Sequence, residues 1–200
     1  MSTNSQMKRP LQNLIGGPWV LIGMALVSLA SFIFAMIKRK KLMENPPVPL
    51  VELDYREMEG LWNEYAGFRK WYQQDHAAAT YEFTIDKKDN VTLEHEIRFG
   101  TADGPKRKIK KKLSIPDISE PACFEIKGVF RSKIPVKIIY LNTEMGIMVL
   151  TMGKCFRPHV LSREWPINEE VYSELTKRMK EESAVDLKGL EIFQAPEEME

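Results

Sequence analysis

Cysteine and histidine are both scarce in this chain. Two cysteines, Cys123 and Cys155, stand in 200 residues, too few for the disulfide framework of a small secreted domain. They read as free thiols, or as one pair if the domain lies in an oxidising compartment. The three histidines, His76, His95 and His159, are scattered, and no Cys/His spacing matches a zinc site. Charge of one sign is not in excess either: the formal net charge is +1, which argues against a general nucleic-acid binder. No glycine-rich phosphate loop, nucleophile-elbow serine or carboxylate pair stands out. The sequence therefore predicts no metal, no cofactor and no enzyme.

What the chain does have begins with an uncharged run over residues 18–37. About 20 apolar residues match one crossing of the hydrocarbon core. Pro18 suits a first helical position and Trp19 an interfacial belt. Gly23, Ala25, Ser28 and Ala30 are small enough for close helix contact. Ser28-Leu29-Ala30 has the form of a signal-peptide cleavage site, but the apolar run continues past it to Ile37. The expectation is a tail over residues 1–17 and a single transmembrane helix over 18–37. Lys38-Arg39-Lys40-Lys41 follow at once, against only Lys8 and Arg9 on the other flank. The positive-inside rule then places the C-terminal domain in the cytosol, or on the matrix or stroma side of an organelle membrane such as the mitochondrial inner membrane. Residues 38–50 read as a basic, proline-rich linker, stiffened at Asn45-Pro46-Pro47-Val48-Pro49.

Beyond the linker, apolar and polar residues alternate over residues 80–86 and 91–99, around a turn at Asp89-Asn90. Such segments are half-buried antiparallel strands. Further strands are expected at 106–115, 122–130, 135–141, 146–152 and 158–163, a regular spacing that points to a barrel or sandwich. Lys106-Arg107-Lys108 and Lys110-Lys111-Lys112 make the first of these basic. It reads as a solvated face, with acidic lipid or a partner as the alternative. One helix interrupts the series. Asn168 is its N-cap, Glu169 and Glu170 occupy its first turn, and Val171, Leu175 and Met179 form an apolar stripe. A last strand is expected over 187–194, before an acidic tail at 196–200.

The first strand of the domain carries Gly60-Leu61-Trp62-Asn63-Glu64-Tyr65-Ala66. Glycine lets backbones approach closely, and the tryptophan can fill the narrow end of a small barrel. Thr143-Glu144-Met145 follows between two later strands, and Leu161-Ser162-Arg163 ends another. With the late helix, these motifs resemble the lipocalin family over roughly residues 50–195, most nearly its bacterial lipocalin and apolipoprotein D group. That family's first motif reads Gly-x-Trp-Tyr-Glu-x-Ala. Gly60, Trp62, Glu64 and Ala66 match it, while Asn63 stands in place of the tyrosine. Its second is Thr-Asp-Tyr-like, and here the aromatic is lost. The resemblance implies an all-β domain over residues 51–195: an eight-stranded antiparallel up-and-down barrel with one C-terminal α-helix packed outside. It also implies that Arg163 lies across Trp62 at the closed end, a cation–π contact of about 0.5–2 kcal/mol. Gly60, Trp62 and Arg163 are then structural.

Alternate residues of such a barrel face a cavity that holds one small ligand. The expected lining is Tyr81, Phe83, Leu93, His95, Ile97, Phe124, Ile126, Ile138, Tyr140 and Val149, suited to an acyl chain, sterol, carotenoid or quinone. His95 reads as a hydrogen-bonded lining residue. Glu64 faces inward by parity with Trp62 and reads as a buried acid paired with a strand polar group. Two functions remain open. One is a membrane-anchored, non-catalytic module that holds a lipid or other hydrophobic molecule. The other is an accessory subunit of a larger membrane complex, for example in an energy-transducing organelle, with a partly filled barrel. The expected partners are the bilayer, a hydrophobic small molecule and other membrane subunits.

Overall fold

A computed structural model of the chain describes residues 18–44, 46–68, 75–128, 132–183 and 185–195. It separates into two units, Met1–Glu44 and Asn45–Glu200. The first holds helix α1, Pro18–Glu44, which covers the uncharged run and continues through the basic residues after it. Val27 and Phe34 are among its exposed apolar side chains. Among the residues with described side chains, no helix is long and apolar enough to cross a membrane. Positions 18, 19, 21 and 35 of the uncharged run fall outside that set. The expected tails at 1–17 and 196–200 lie outside the described residues.

The second unit is built on one antiparallel sheet. Its strands are β1 Gly60–Gly67, β2 His76–Ile85, β3 Val91–Phe99, β4 Lys106–Ser114, β5 Cys123–Lys127, β6 Lys133–Asn142, β7 Ile147–Met152, β8 Arg157–Ser162 and β9 Glu191–Ile192. β2 to β8 pair in chain order, and β1 closes the circle by pairing with both ends. Gly60↔Phe83 and Trp62↔Tyr81 join it to β2, while Glu64↔Leu161 and Ala66↔Val160 join it to β8. Beyond the point where β2 leaves, Ala66 and Gly67 pair with Ile192 and Glu191 of β9. The closed eight-stranded barrel expected from the sequence is present. Its last expected strand is cut to two residues, because residues 187–190 turn instead and bury Leu187 against the helix. The β2–β3 turn shows why its sequence reverses the chain. The Asp86 carboxylate accepts from the N–H groups of Lys88 and Asn90 at 2.7 and 2.9 Å, an Asx-type turn.

Two apolar clusters hold the domain. Inside the barrel, Trp62, Tyr81, Phe83, Leu93, Phe124, Ile126, Ile138, Met148, Leu150 and Leu161 pack together, each such side chain contributing about 1.5–3 kcal/mol of burial. Outside it, helix α2 (Glu169–Glu182) lays Leu175 and Met179 on Tyr65, Ile139, Ile147, Val149 and Val160. Asn168 caps this helix, its Oδ1 accepting from the Glu170 N–H at 2.8 Å.

Two residues expected to face the cavity lie in the outer cluster instead. Val149 sits on a strand whose residues 147–151 are all buried, so no polar alternation marks which side is inward. Met148 and Leu150 take the interior. Tyr140 is turned outward by a register shift between Ile138 and Tyr140, since a bulge moves the following side chains to the opposite face. Of the linker expected over residues 38–50, residues 38–44 continue helix α1 and the stretch from Pro47 to Leu50 is docked. Pro47 is buried and its carbonyl accepts from Lys137 Nζ at 3.3 Å, and the Leu50 N–H donates to the Ile138 carbonyl at 3.0 Å.

Candidate functional site

The closed end is built around one arginine. Gly60 opens β1 at φ +103°, and a Cβ there would stand 3.3 Å from Arg163 Nη1, so glycine suits both the backbone and the space. The Arg163 guanidinium lies 4.3 Å from the Trp62 ring centroid. Its Nη2 donates to the carbonyls of Glu57 and Glu59 at 3.2 and 2.7 Å. Trp62 is fully buried, and its Nε1–H donates to the Met58 carbonyl at 2.8 Å. Met58 ends a 3₁₀ turn, Tyr55–Met58, whose Tyr55 packs edge-on against Phe124.

Above this floor the barrel is filled by its own side chains. Of the expected lining, Tyr81, Phe83, Leu93, Phe124, Ile126 and Ile138 belong to the interior cluster. Among the described residues, a cavity of about 40 Å³ lies at the open end, lined by Glu64, Phe68, His76, Ala79, Tyr81, His95, Ile97, His159 and Phe193. At about 10–15 Å³ per water it has room for about three waters, whereas small-molecule pockets measure about 300–1,000 Å³. An open groove of about 600 Å³ runs outside the barrel between α2 and β9, past Tyr172, Lys180, Asp186 and Ile192.

The histidines that look scattered in the sequence converge on this recess, with Glu64 and Tyr81. His159 Nδ1–H donates to Glu64 Oε1 at 2.5 Å. Tyr81 Oη lies 3.2 Å from the same nitrogen, and its ring stacks on that of His95 at 4.3 Å between centroids. Burial, then the charge and hydrogen bond of Glu64, hold the Tyr81 hydroxyl well above the ordinary tyrosine range. Burial also lowers His95 to about 4; Glu64 opposes that shift, and His159 and His76 add to it. His95 is therefore a neutral imidazole at pH 7. Its Nε2 is buried without a hydrogen-bond partner among the described residues. No His, Cys, Asp or Glu group among those residues is arranged to hold a metal ion. Sequence reasoning missed His76 and His159. The available signal for His159 is its parity with Leu161, which faces the interior on the same strand.

The lipocalin-like domain profile matches residues 53–195. The chain belongs to the lipocalin-like family. No curated protein matches it. Among solved structures it is similar to insecticyanin from the tobacco hornworm Manduca sexta (12% identity, 76% of this chain and 85% of that one, TM-score 0.60). It is similar too to the cockroach major allergen Per a 4 (11% identity, 73% and 91%, TM-score 0.57) and to apocrustacyanin C2 (16% identity, 80% and 87%, TM-score 0.56). At such identities the likeness is one of fold.

The lipocalin-like barrel distributes its basic strand over two faces. Lys108 and Lys110 pair across from Glu96 and Glu94 on the outer face. Lys108 Nζ lies 3.0 Å from a carboxylate oxygen of each, and Lys106 Nζ lies 3.8 Å from Glu96. Burial raises the Glu96 carboxyl, but Lys108, Lys106 and Arg98 outweigh it and hold the group below its ordinary value. Arg107 and Lys111 pair across from Ile97 and Leu93 instead, on the interior face, and both are exposed. The two cysteines are free thiols, Cys123 buried and Cys155 exposed. Burial and a hydrogen bond with Glu120 push Cys123 up to about 11, so it is no nucleophile at neutral pH.

Proposed function

We propose that this chain is a membrane-anchored, non-catalytic lipocalin-like protein that binds a small hydrophobic ligand at the open end of its barrel. One observation carries the reading: a closed barrel of this family ends in a recess where Tyr81, His95 and Ile97 meet the Glu64–His159 pair. The recess of about 40 Å³ is by itself too small for an acyl chain or sterol, so a ligand of that size needs room beyond it. The β1 motif supports grouping with the bacterial lipocalins and apolipoprotein D. The uncharged run at 18–37 and the basic residues 38–41 support a single-pass anchor. They favour a barrel in the cytosol, or in the matrix or stroma of an organelle, with the mitochondrial inner membrane as one such setting. The same packed interior favours a second reading, an accessory subunit of a larger membrane complex.

The test is native mass spectrometry of the full chain extracted from its membrane in mild detergent, with alkaline carbonate extraction alongside. The binding reading expects a stoichiometric apolar adduct and a chain that stays in the carbonate pellet. A chain without adduct that migrates with other subunits sinks the binding reading and supports the second. Release by carbonate sinks the anchor.

A further inference from the structure

Strand β4 outruns its neighbour on one side. Towards β3, every residue from Lys106 to Lys112 has a partner, from Arg98 to Thr92. Towards β5, pairing among the described residues is confined to Leu113↔Ile126 and Ser114↔Glu125. β5 then ends at Lys127, and the Gly128 N–H donates to the Ser132 carbonyl at 2.7 Å, which closes the hairpin to β6. Lys106–Lys111 therefore has no second neighbouring strand among the described residues. An antiparallel strand directs its N–H and C=O groups to its two neighbours by alternate residues, so every other residue of this stretch turns its backbone groups to an open edge. Such an edge accepts an added strand unless the side chains repel it. Of its six residues five are exposed cations, and the sixth, Ile109, is half-buried. The barrel's own acids do not balance them. Glu94 and Glu96 answer Lys106, Lys108 and Lys110 from β3, and Glu125 on β5 is engaged by Lys133 at 2.8 Å. Arg107 and Lys111, on the other face, have no ion-pair partner among the described residues. Like charge keeps the same edge of a second copy away. A strand of carboxylates around one apolar residue is its complement.

We propose that the β4 edge at Lys106–Lys111 docks an extended acidic segment of a partner protein by strand addition. Backbone hydrogen bonds hold the segment to the open edge. Its carboxylates meet Arg107 and Lys111 on one face and Lys108 and Lys110 on the other, and an apolar residue lies beside Ile109. The surface requires no ligand in the barrel and stands apart from the reading above.

The experiment is fluorescence-anisotropy titration of the full chain in phosphatidylcholine nanodiscs, against empty-disc blanks at low salt. The probe is a dye-labelled, capped peptide of three glutamates on each side of one valine. A second peptide has glutamine for every glutamate, and a third keeps the charges but has every backbone N–H methylated. Both are expected to bind at least tenfold more weakly than the first. Hydrogen exchange over residues 106–112 should slow when the first peptide binds. The double variant R107Q/K111Q, checked for its β-sheet circular dichroism, should lose about tenfold for that peptide. K87Q/K88Q, at exposed positions in the β2–β3 turn, should stay within twofold. Equal binding of the methylated peptide, or unchanged exchange over 106–112, shows charge attraction alone and overturns strand addition. Equal losses in the two double variants overturn the site. Capture of phosphatidylglycerol vesicles without peptide binding overturns the protein partner and assigns the cations to an anionic bilayer. No binding of either overturns the proposal outright, and every one of these results leaves the ligand reading where it stands.

Discussion

Arg163 works through its shape as much as its charge. A planar guanidinium stacks on a ring and donates in a fixed fork at the same time, and here it does both, over Trp62 and to Glu57 and Glu59. Arg163→Lys keeps the charge and loses the plane. It should destabilise the barrel by about 1 kcal/mol, and Arg163→Ala by about 2 kcal/mol, read from the urea midpoint. His95 makes a second prediction at this scale. Unfolded, it takes its proton near the ordinary histidine value of 6.5; folded, near 4. Above 6.5 neither state is charged and the residue adds no pH dependence. As pH falls from 6.5 to 4 the unfolded state binds the proton first, and stability drops by up to about 3 kcal/mol. Carboxylates held low, such as Glu96, lose their contribution only at lower pH. His95→Gln should therefore flatten the upper part of the acid limb, seen by comparing urea midpoints at pH 7 and 4.5. The Trp62–Arg163 contact was legible because both residues sit in short motifs. The recess was not, because its polar groups come from β1, β2, β3 and β8, and Glu64 and His159 are 95 positions apart.

Strands were easy to read wherever one face is wet. β2 and β3 keep visible alternation over residues 80–99, and their placement follows from it. β7 has none, because the interior cluster takes one face and α2 covers the other. That is why alternation misplaces Val149. A bulge in β6 misplaces Tyr140 in the same way, and no residue type in that strand announces it. β4 fails for the opposite reason: polar residues on both faces look like one solvated strand, although register divides them. The helix was clear from its cap and stripe. Its hold on the barrel depends on Met179, which is 1% exposed. Met179→Ala should cost about 2–5 kcal/mol and lower the thermal midpoint, while the same change at exposed Lys177 should leave it nearly unmoved.

Fold and family were legible at the scale of the whole molecule, from Gly60, Trp62 and Arg163 acting together with the late helix. Whether the barrel is open was not. A lining of bulky apolar residues reads the same whether the side chains meet in the middle or surround a void, and here they meet. Both apolar clusters draw only on residues after position 49. The segment 46–200 should accordingly fold without α1. Its thermal midpoint should stay within a few degrees of the full chain's in the same detergent, followed by circular dichroism. A molten profile would show that the first unit contributes to the fold.

The way β1 is shared among three partners sets a timetable for biosynthesis. This strand leaves the ribosome first among the nine, yet its neighbours β8 and β9 are made last. Such non-local pairing folds slowly. Until residue 162 has emerged, the nascent chain presents one side of β1 as an open edge ready to join any other strand, and Ala66 and Gly67 on its other side wait for residue 192. Newly made copies that stall before that point are the ones a cell's chaperones must shelter.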